Sequence, residues 1–341
     1  MKPIFIDWAI TNKCNLRCIH CTGMMENELS CERALTLIDE IKELNPEWII
    51  IEGGEPFLRK DIFKILERVN IHNLKTYIIT NALLLNKEII KNIKEMENLK
   101  ILVSFDGSNK GTYESIKIGA RWETFIKNVD LLKDAGILHG FTVVLSKKNK
   151  KEIEDFVEWG KKFKVKVIIF IPLEPFEPLN DYYKLSLSPK EYIEVMERII
   201  KISGESEIKL FFDEPFFNVY LSLKKIKWKE GTESGIIANK KGCIAGEYIY
   251  IQTNGDVRPC MFADKGWTMG NIINTSLEKI WEKMKGDEEL LFARRRDKRK
   301  GECANCKFFE SCFGCLARIK RVKGSIFESD FLCPIPYLNK D

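Results

Sequence analysis

Apolar positions in the first two hundred residues follow two alternating rhythms. Short continuous runs at 4–10, 48–51, 77–79, 101–103, 141–144 and 165–171 have strand length and almost no polar interruption. Runs of that kind predict strands buried on both faces. Between them, apolar residues recur at helical spacing. Ala34, Leu37, Ile38, Ile41 and Leu44 follow a capping Ser30, and Ile62, Phe63, Leu66 and Val69 form a second stripe. Further helices are predicted near 86–97, 122–135 and 150–163, and Ser188-Pro189-Lys190-Glu191 reads as a capping box opening one more.

Six apolar strands alternating with helices predict an α/β fold with a parallel sheet, either doubly wound or a partial (β/α)6 barrel of the TIM type. In both architectures ligands bind at the C-terminal ends of the strands. The unusual residues fall there. Cys14 to Cys21 follow the first strand, Glu52-Gly53-Gly54-Glu55-Pro56 the second, Thr80-Asn81 the third, and Ser104-Phe105-Asp106-Gly107 the fourth.

A length of 341 residues leaves room for more than one domain. No apolar run reaches eighteen residues and the start carries no leader pattern, so neither a membrane-spanning nor an exported chain is expected. With 45% hydrophobic residues, disorder is excluded. A net charge of +5 from 55 basic and 50 acidic residues is too balanced to imply nucleic acid. Eleven cysteines against three histidines is the informative count, because an odd number without a leader points to metal ligation rather than disulfides. Cys14, Cys18, Cys21 and Cys31 lie near the start; Cys243, Cys260, Cys303, Cys306, Cys312, Cys315 and Cys333 lie in the last hundred residues. Loops expected at Glu205-Ser206 and at Gly231-Thr232-Glu233-Ser234-Gly235 divide the chain into modules of residues 1–212 and 213–341.

Cys14, Cys18 and Cys21 are close enough in sequence for one loop to wrap one cluster. Three thiolates on a four-iron cubane leave one iron open to a ligand. A structural zinc with His20 as fourth ligand is the competing reading, although adjacent ligands at 20 and 21 would strain the loop. In the later set, paired CxxC spacings also suit zinc. Zinc would use four of seven thiols and leave Cys243, Cys260 and Cys333 unexplained, whereas two iron–sulfur clusters need all seven and one ligand more.

CxxxCxxC after the first strand with GGEP after the second resembles the radical S-adenosylmethionine (SAM) superfamily, over roughly residues 4–200. The resemblance implies that Cys14, Cys18 and Cys21 hold a [4Fe–4S] cluster whose open iron binds the amino and carboxylate groups of SAM. It implies that Gly53, Gly54, Glu55 and Pro56 contact the methionine amino group, and that Asn81, Ser104 and Asp106 approach the rest of the cofactor. His20 stands where relatives place an aromatic residue near the adenine. One-electron cleavage of SAM would give a 5′-deoxyadenosyl radical that abstracts hydrogen from a substrate. The C-terminal pattern resembles the SPASM extension with two auxiliary [4Fe–4S] clusters. By that resemblance Cys243, Cys260 and Cys315 hold the first, and Cys303, Cys306, Cys312 and Cys333 the second. Two residues, instead of the family's three, separate Cys312 from Cys315.

The implied partners are a low-potential electron donor of the ferredoxin or flavodoxin type and a peptide, protein or cofactor-precursor substrate, in the cytoplasm, without nucleic acid or membrane. Tetrapyrrole modification of the haem-pathway kind, or tungstopterin cofactor modification as in archaeal proteins with a similar opening segment, is the alternative. A non-catalytic zinc-binding module is the rival from another class. Cys31 is expected to be a small packed residue. The run from Arg294 to Lys300 is expected to be a solvated helix face that could dock the reductant. Pro172 to Pro178 reads as a rigid acidic loop at the substrate end. Asp213, Glu214 and Tyr248 are candidates for proton transfer by position alone.

Overall fold

The computed structural model describes residues 2–21, 27–204, 207–226 and 242–338, together with the backbone of 236–237. The loops expected at Glu205-Ser206 and 231–235 lie outside the described residues. Two compact units emerge, each assembled from three stretches of chain.

The first unit comprises Met1–Ser104, Lys117–His139 and Gly246–Asp287. Its parallel strands β1 (Phe5–Ala9), β2 (Trp48–Glu52), β3 (Thr76–Thr80) and β4 (Leu99–Ser104) lie side by side in that order. A strand absent from the sequence reading, Ile249–Ile251, runs parallel to β1 on its other side, and Asp256–Arg258 and Gly270–Asn271 continue the sheet antiparallel. These late strands are only two or three residues long, which is why periodicity does not reveal them. The helix Cys31–Leu44 begins where Ser30 accepts a hydrogen bond from the Arg33 amide, and buries Ala34, Leu37, Ile38 and Ile41 as its stripe requires.

The second unit comprises Phe105–Ile116, Gly140–Ala245 and Glu288–Asp341. Strand β5 (Leu138–Leu145) enters it at residue 140 and pairs in parallel with β6 (Val167–Pro172), which pairs with β7 (Lys209–Phe212). β7 follows the six expected strands as a seventh. Phe105 packs edge-on against Phe141 and Phe156 to form an aromatic core. The helix Pro189–Ser203 carries the full capping box: the Glu191 amide donates to the Ser188 hydroxyl and the Ser188 amide to the Glu191 carboxylate. The cysteine-rich end is made of short turns and the helices Phe309–Cys312 and Leu316–Lys323.

Two expectations are corrected. Cys31 is half-buried at a helix start, and its thiol hydrogen-bonds Asp61 rather than filling a core gap. The basic run is not a uniform solvated helix face. Arg299 is buried and donates to the carbonyls of Ile326, Phe313 and Glu328, so it serves as a structural tie.

Candidate functional site

In the first unit the loop after β1 and the loop after β2 are stitched together by backbone. The Gly54 amide donates to the Thr11 carbonyl at 2.7 Å and the Glu55 amide to the Lys13 carbonyl at 2.7 Å. Gly53 has φ +139°, and a Cβ there would meet the Thr11 oxygen at 2.4 Å; one on Gly54 would meet the Lys13 oxygen at 2.2 Å. Only glycine permits this approach, which brings Glu55 under the cysteine loop.

Glu55 is fully buried and accepts hydrogen bonds from Thr80 Oγ at 2.8 Å, the Asn81 amide at 2.8 Å and the Phe57 amide at 3.3 Å. Burial lifts its carboxyl to about 7 against those bonds. Its side chain is consumed as an anchor, so the loop backbone is what it offers outward. Asn81 extends the chain of contacts: its Nδ2 donates to Asn15 at 2.8 Å and reaches Cys14 Sγ at 3.9 Å. Cys14 Sγ also accepts from the Leu16 amide at 3.4 Å. Arg17–Cys18 forms a two-residue antiparallel ribbon with Lys117–Ile118, pinning the middle of the cysteine loop.

Burial pushes the Cys14 thiol up, and the nearby charges of Glu55 and Cys21 add to this. Two thiols that repel when ionised, in a loop built around them, suit a cationic inorganic centre. His20 is half-buried and Cys21 exposed. Lys117 was missed by sequence reasoning, yet it is buried, donates to Ser104 Oγ at 2.8 Å, and its charge is felt at both Glu55 and Cys14. No spacing signal marks a lone lysine at a short ribbon. Also in this unit, buried Cys260 lies beside Tyr248, whose hydroxyl bonds its sulfur and accepts from the Met261 amide at 2.9 Å.

In the second unit Asp106 is buried, accepts from the Val144 amide at 2.8 Å, and its carbonyl accepts from Asn149 at 2.9 Å. Cys303, Cys306, Cys312 and Cys333 line one cavity walled by Phe216, Phe309 and Phe313. Burial raises the Cys312 and Cys333 thiols, Cys333 to about 12, and the charges of neighbouring cysteines add to this. Four mutually repelling thiols around an apolar space match the donor set of a [4Fe–4S] cluster. Among the described residues, no three Cys, His, Asp or Glu side chains converge as ligands of a single metal ion.

Cys243 and Cys315 form a separate buried pair. The Leu316 amide, next to Cys315, bonds Cys243 sulfur, and each thiol is raised by burial. Beside them lies a buried ion network. Arg318 contacts Glu174 at 3.0 Å, Glu214 at 2.7 Å and Asp330 at 2.7 Å. Burial lifts Glu174 to about 7 and Glu214 to about 8, while Arg318 holds Asp330 below the usual carboxylate range despite desolvation. Of the proton-transfer candidates, Glu214 is thus engaged in an ion network and Tyr248 with Cys260.

The family model described as the radical SAM superfamily matches residues 8–160. A second, for the SPASM iron–sulfur cluster-binding domain, matches residues 243–307. An AdoMet-dependent heme synthase of Methanosarcina barkeri is 27% identical over 354 aligned residues, covering 97% of this chain and 96% of that protein. The mycofactocin maturase MftC of Mycolicibacterium smegmatis is 24% identical, covering 92% of this chain and 78% of that one. In fold, the chain resembles Streptococcus suis SuiB bound to S-adenosylmethionine, with TM-score 0.77, 18% identity, and coverage of 97% of this chain and 77% of that one. These findings displace the zinc-module reading. Residues 8–160 thus form a radical SAM domain and residues 243–307 a SPASM domain, and the chain is an enzyme of that kind, using S-adenosylmethionine and [4Fe–4S] clusters.

Proposed function

We propose that this enzyme matures a peptide or cofactor precursor by abstracting hydrogen from it. In this reading residues 1–212 are the catalytic core and residues 213–341 the SPASM extension. Cys14, Cys18 and Cys21 hold the catalytic cluster. Gly53, Gly54, Glu55, Pro56, Asn81, Ser104 and Asp106 form the SAM side of the site. Cys243, Cys260 and Cys315 serve the first auxiliary cluster, and Cys303, Cys306, Cys312 and Cys333 the second. Once bound and reduced, the catalytic cluster and SAM supply a 5′-deoxyadenosyl radical.

The observation that carries the reading is the buried Glu55 anchor. It fixes the glycine pair against the cysteine loop and joins Thr80 and Asn81 to the same point. Gly53 and Gly54 let the loop backbone, whose carbonyls are acceptors an ammonium group can use, lie close against the cysteine loop. Asn81 orients the Cys14 side of the loop, and Lys117 supplies a positive charge suited to a carboxylate. Leu16 and Ile10, both buried, give the loop apolar support.

The electron donor is a low-potential ferredoxin or flavodoxin in the cytoplasm. The exposed guanidinium groups of Arg295 and Arg296 share a groove with Ala304, between Cys303 and Cys306, and favour an acidic protein. A second reading, modification of a tetrapyrrole side chain, is favoured by the near full-length likeness to the heme synthase. Anaerobic turnover with SAM and a strong reductant tests both through 5′-deoxyadenosine release. Stimulation by porphyrin and not by peptide would select the second reading, and no release under any condition would defeat both.

A further inference from the structure

Cys260 is the one cysteine of the late set that lies in the first unit, and only 8% of its surface is exposed. Its surroundings follow from the sheet. Ile249–Ile251 and Asp256–Arg258 pair antiparallel, with Tyr250 opposite Arg258 and Ile251 opposite Val257. Carrying that register two residues further puts Tyr248 across from Cys260 on the same face. The Gly246 amide donates to the Pro259 carbonyl at 2.8 Å and keeps the two segments together past the end of the ladder.

The ring of Tyr248 is clamped. It stacks on Phe5 of β1 with centroids 4.3 Å apart, and Phe5 stacks in turn on Trp48 of β2 at 5.5 Å. Three rings on three neighbouring strands fix where the hydroxyl points. A phenol carries one proton and two lone pairs. The Met261 amide donates to the oxygen at 2.9 Å, and the proton goes to the Cys260 sulfur. The same sulfur accepts from the Phe262 amide at 3.4 Å.

Two donors aimed at one buried sulfur suit a thiolate better than a thiol. A neutral thiol is a weak acceptor with a proton of its own to place. A thiolate is a buried anion, which needs donors around it and a metal to bind.

We propose that Tyr248 sets the reduction potential of the auxiliary cluster ligated by Cys260, by donating its O–H to the ligand sulfur. The proposal rests on the reading of Cys260 as an auxiliary ligand. Tyr248 touches neither substrate nor iron; it is a positioning residue that acts through the cysteine. A hydrogen bond to a ligand sulfur stabilises the reduced, more negative cluster, so the potential rises. The proton stays on the phenol oxygen in both oxidation states.

The test uses the full chain with Cys14, Cys18 and Cys21 changed to Ala, so that only the auxiliary clusters remain. Potentials are read by anaerobic redox titration followed by EPR. Adding Tyr248→Phe keeps the ring on Phe5 and removes only the hydroxyl. It should retain the iron and lower the potential of one cluster, leaving the other where it was. At a fixed applied potential the reduced-to-oxidised ratio of that cluster should fall about tenfold, which is about 59 mV for one electron. ENDOR of the reduced parent should show an exchangeable proton coupled to the cluster that Y248F lacks. Potentials and proton couplings unchanged in Y248F, whatever its melting temperature, would reduce the hydroxyl to a tie for the Met261 amide and overturn the proposal. If Y248F loses a cluster, Phe5→Leu, which loosens the clamp but keeps the hydroxyl, should lower the same potential by less; no shift there would overturn it as well. Cys260→Ala with all of about eight irons and both EPR signals of the parent would instead overturn the reading of Cys260 as a ligand.

Discussion

The two groups of cysteines live in opposite surroundings. Cys14, Cys18 and Cys21 sit on a loop whose last thiol is exposed, held by backbone hydrogen bonds and one buried carboxylate. Cys243 and Cys315 are buried beside a four-membered ion network, Cys260 is buried beside Tyr248, and Cys303, Cys306, Cys312 and Cys333 line a space walled by phenylalanine. A centre that must admit a cofactor needs an open side. A centre that only transfers electrons gains from burial, which sets its potential and keeps water away. On the proposed assignment, the first group should tolerate the loss of its ligands as a fold, and the second should not.

The sharpest way to break that contrast is to change Cys14, Cys18 and Cys21 to Ala together. SAM cleavage should vanish and about four irons be lost, while the melting temperature moves little, as read by calorimetry of the reconstituted protein. The opposite result is expected for Arg318→Met. Removing the one cation among Glu174, Glu214 and Asp330 should cost about 3–5 kcal/mol in urea unfolding. A change below about 1 kcal/mol would show that the network carries little of the fold.

A smaller effect tests the first unit by pH. Glu52 keeps part of its surface accessible, yet its carboxyl lies deep enough for desolvation to lift it to about 7, against a hydrogen bond with Tyr250. Its folded pKa lies above its ordinary value, so its contribution is complete below about 4.5 and is lost as pH rises through about 7. The urea midpoint of the native protein should fall more between about pH 5 and about pH 8 than that of Glu52→Gln. The smallest effect is Ser188→Ala. It removes the accepting half of the capping box and should cost about 1 kcal/mol, read as a shift in urea midpoint at constant slope.

Much of this was legible in the amino-acid order because the relevant signals are local. CxxxCxxC, GGEP, the strand runs and the Ser188 cap each fit within a few neighbouring residues, and the elements that carry them formed where expected. What escaped notice depends on distant partners. Lys117 matters because it meets Ser104 across a ribbon, and Arg318 because segments from 174, 214 and 330 converge on it. Glu174 stood out in sequence only as part of a proline-rich acidic loop; its geometry against Cys315 needs the fold. The Arg294 to Lys300 run misled because charge density does not reveal that Arg299 turns inward to bond carbonyls.

The placement of β1 has a consequence for how the protein is made. Its neighbours in the sheet are Trp48–Glu52 on one side and Ile249–Ile251 on the other. The first partner leaves the ribosome soon after β1, whereas the second follows only after some two hundred further residues. Until then the strand that carries the thiol loop has one free edge, and pairing across such a separation is slow. Synthesis thus leaves a nascent chain with reactive thiols on an unfinished sheet. Oxygen exclusion and iron supply then matter during translation as well as during turnover.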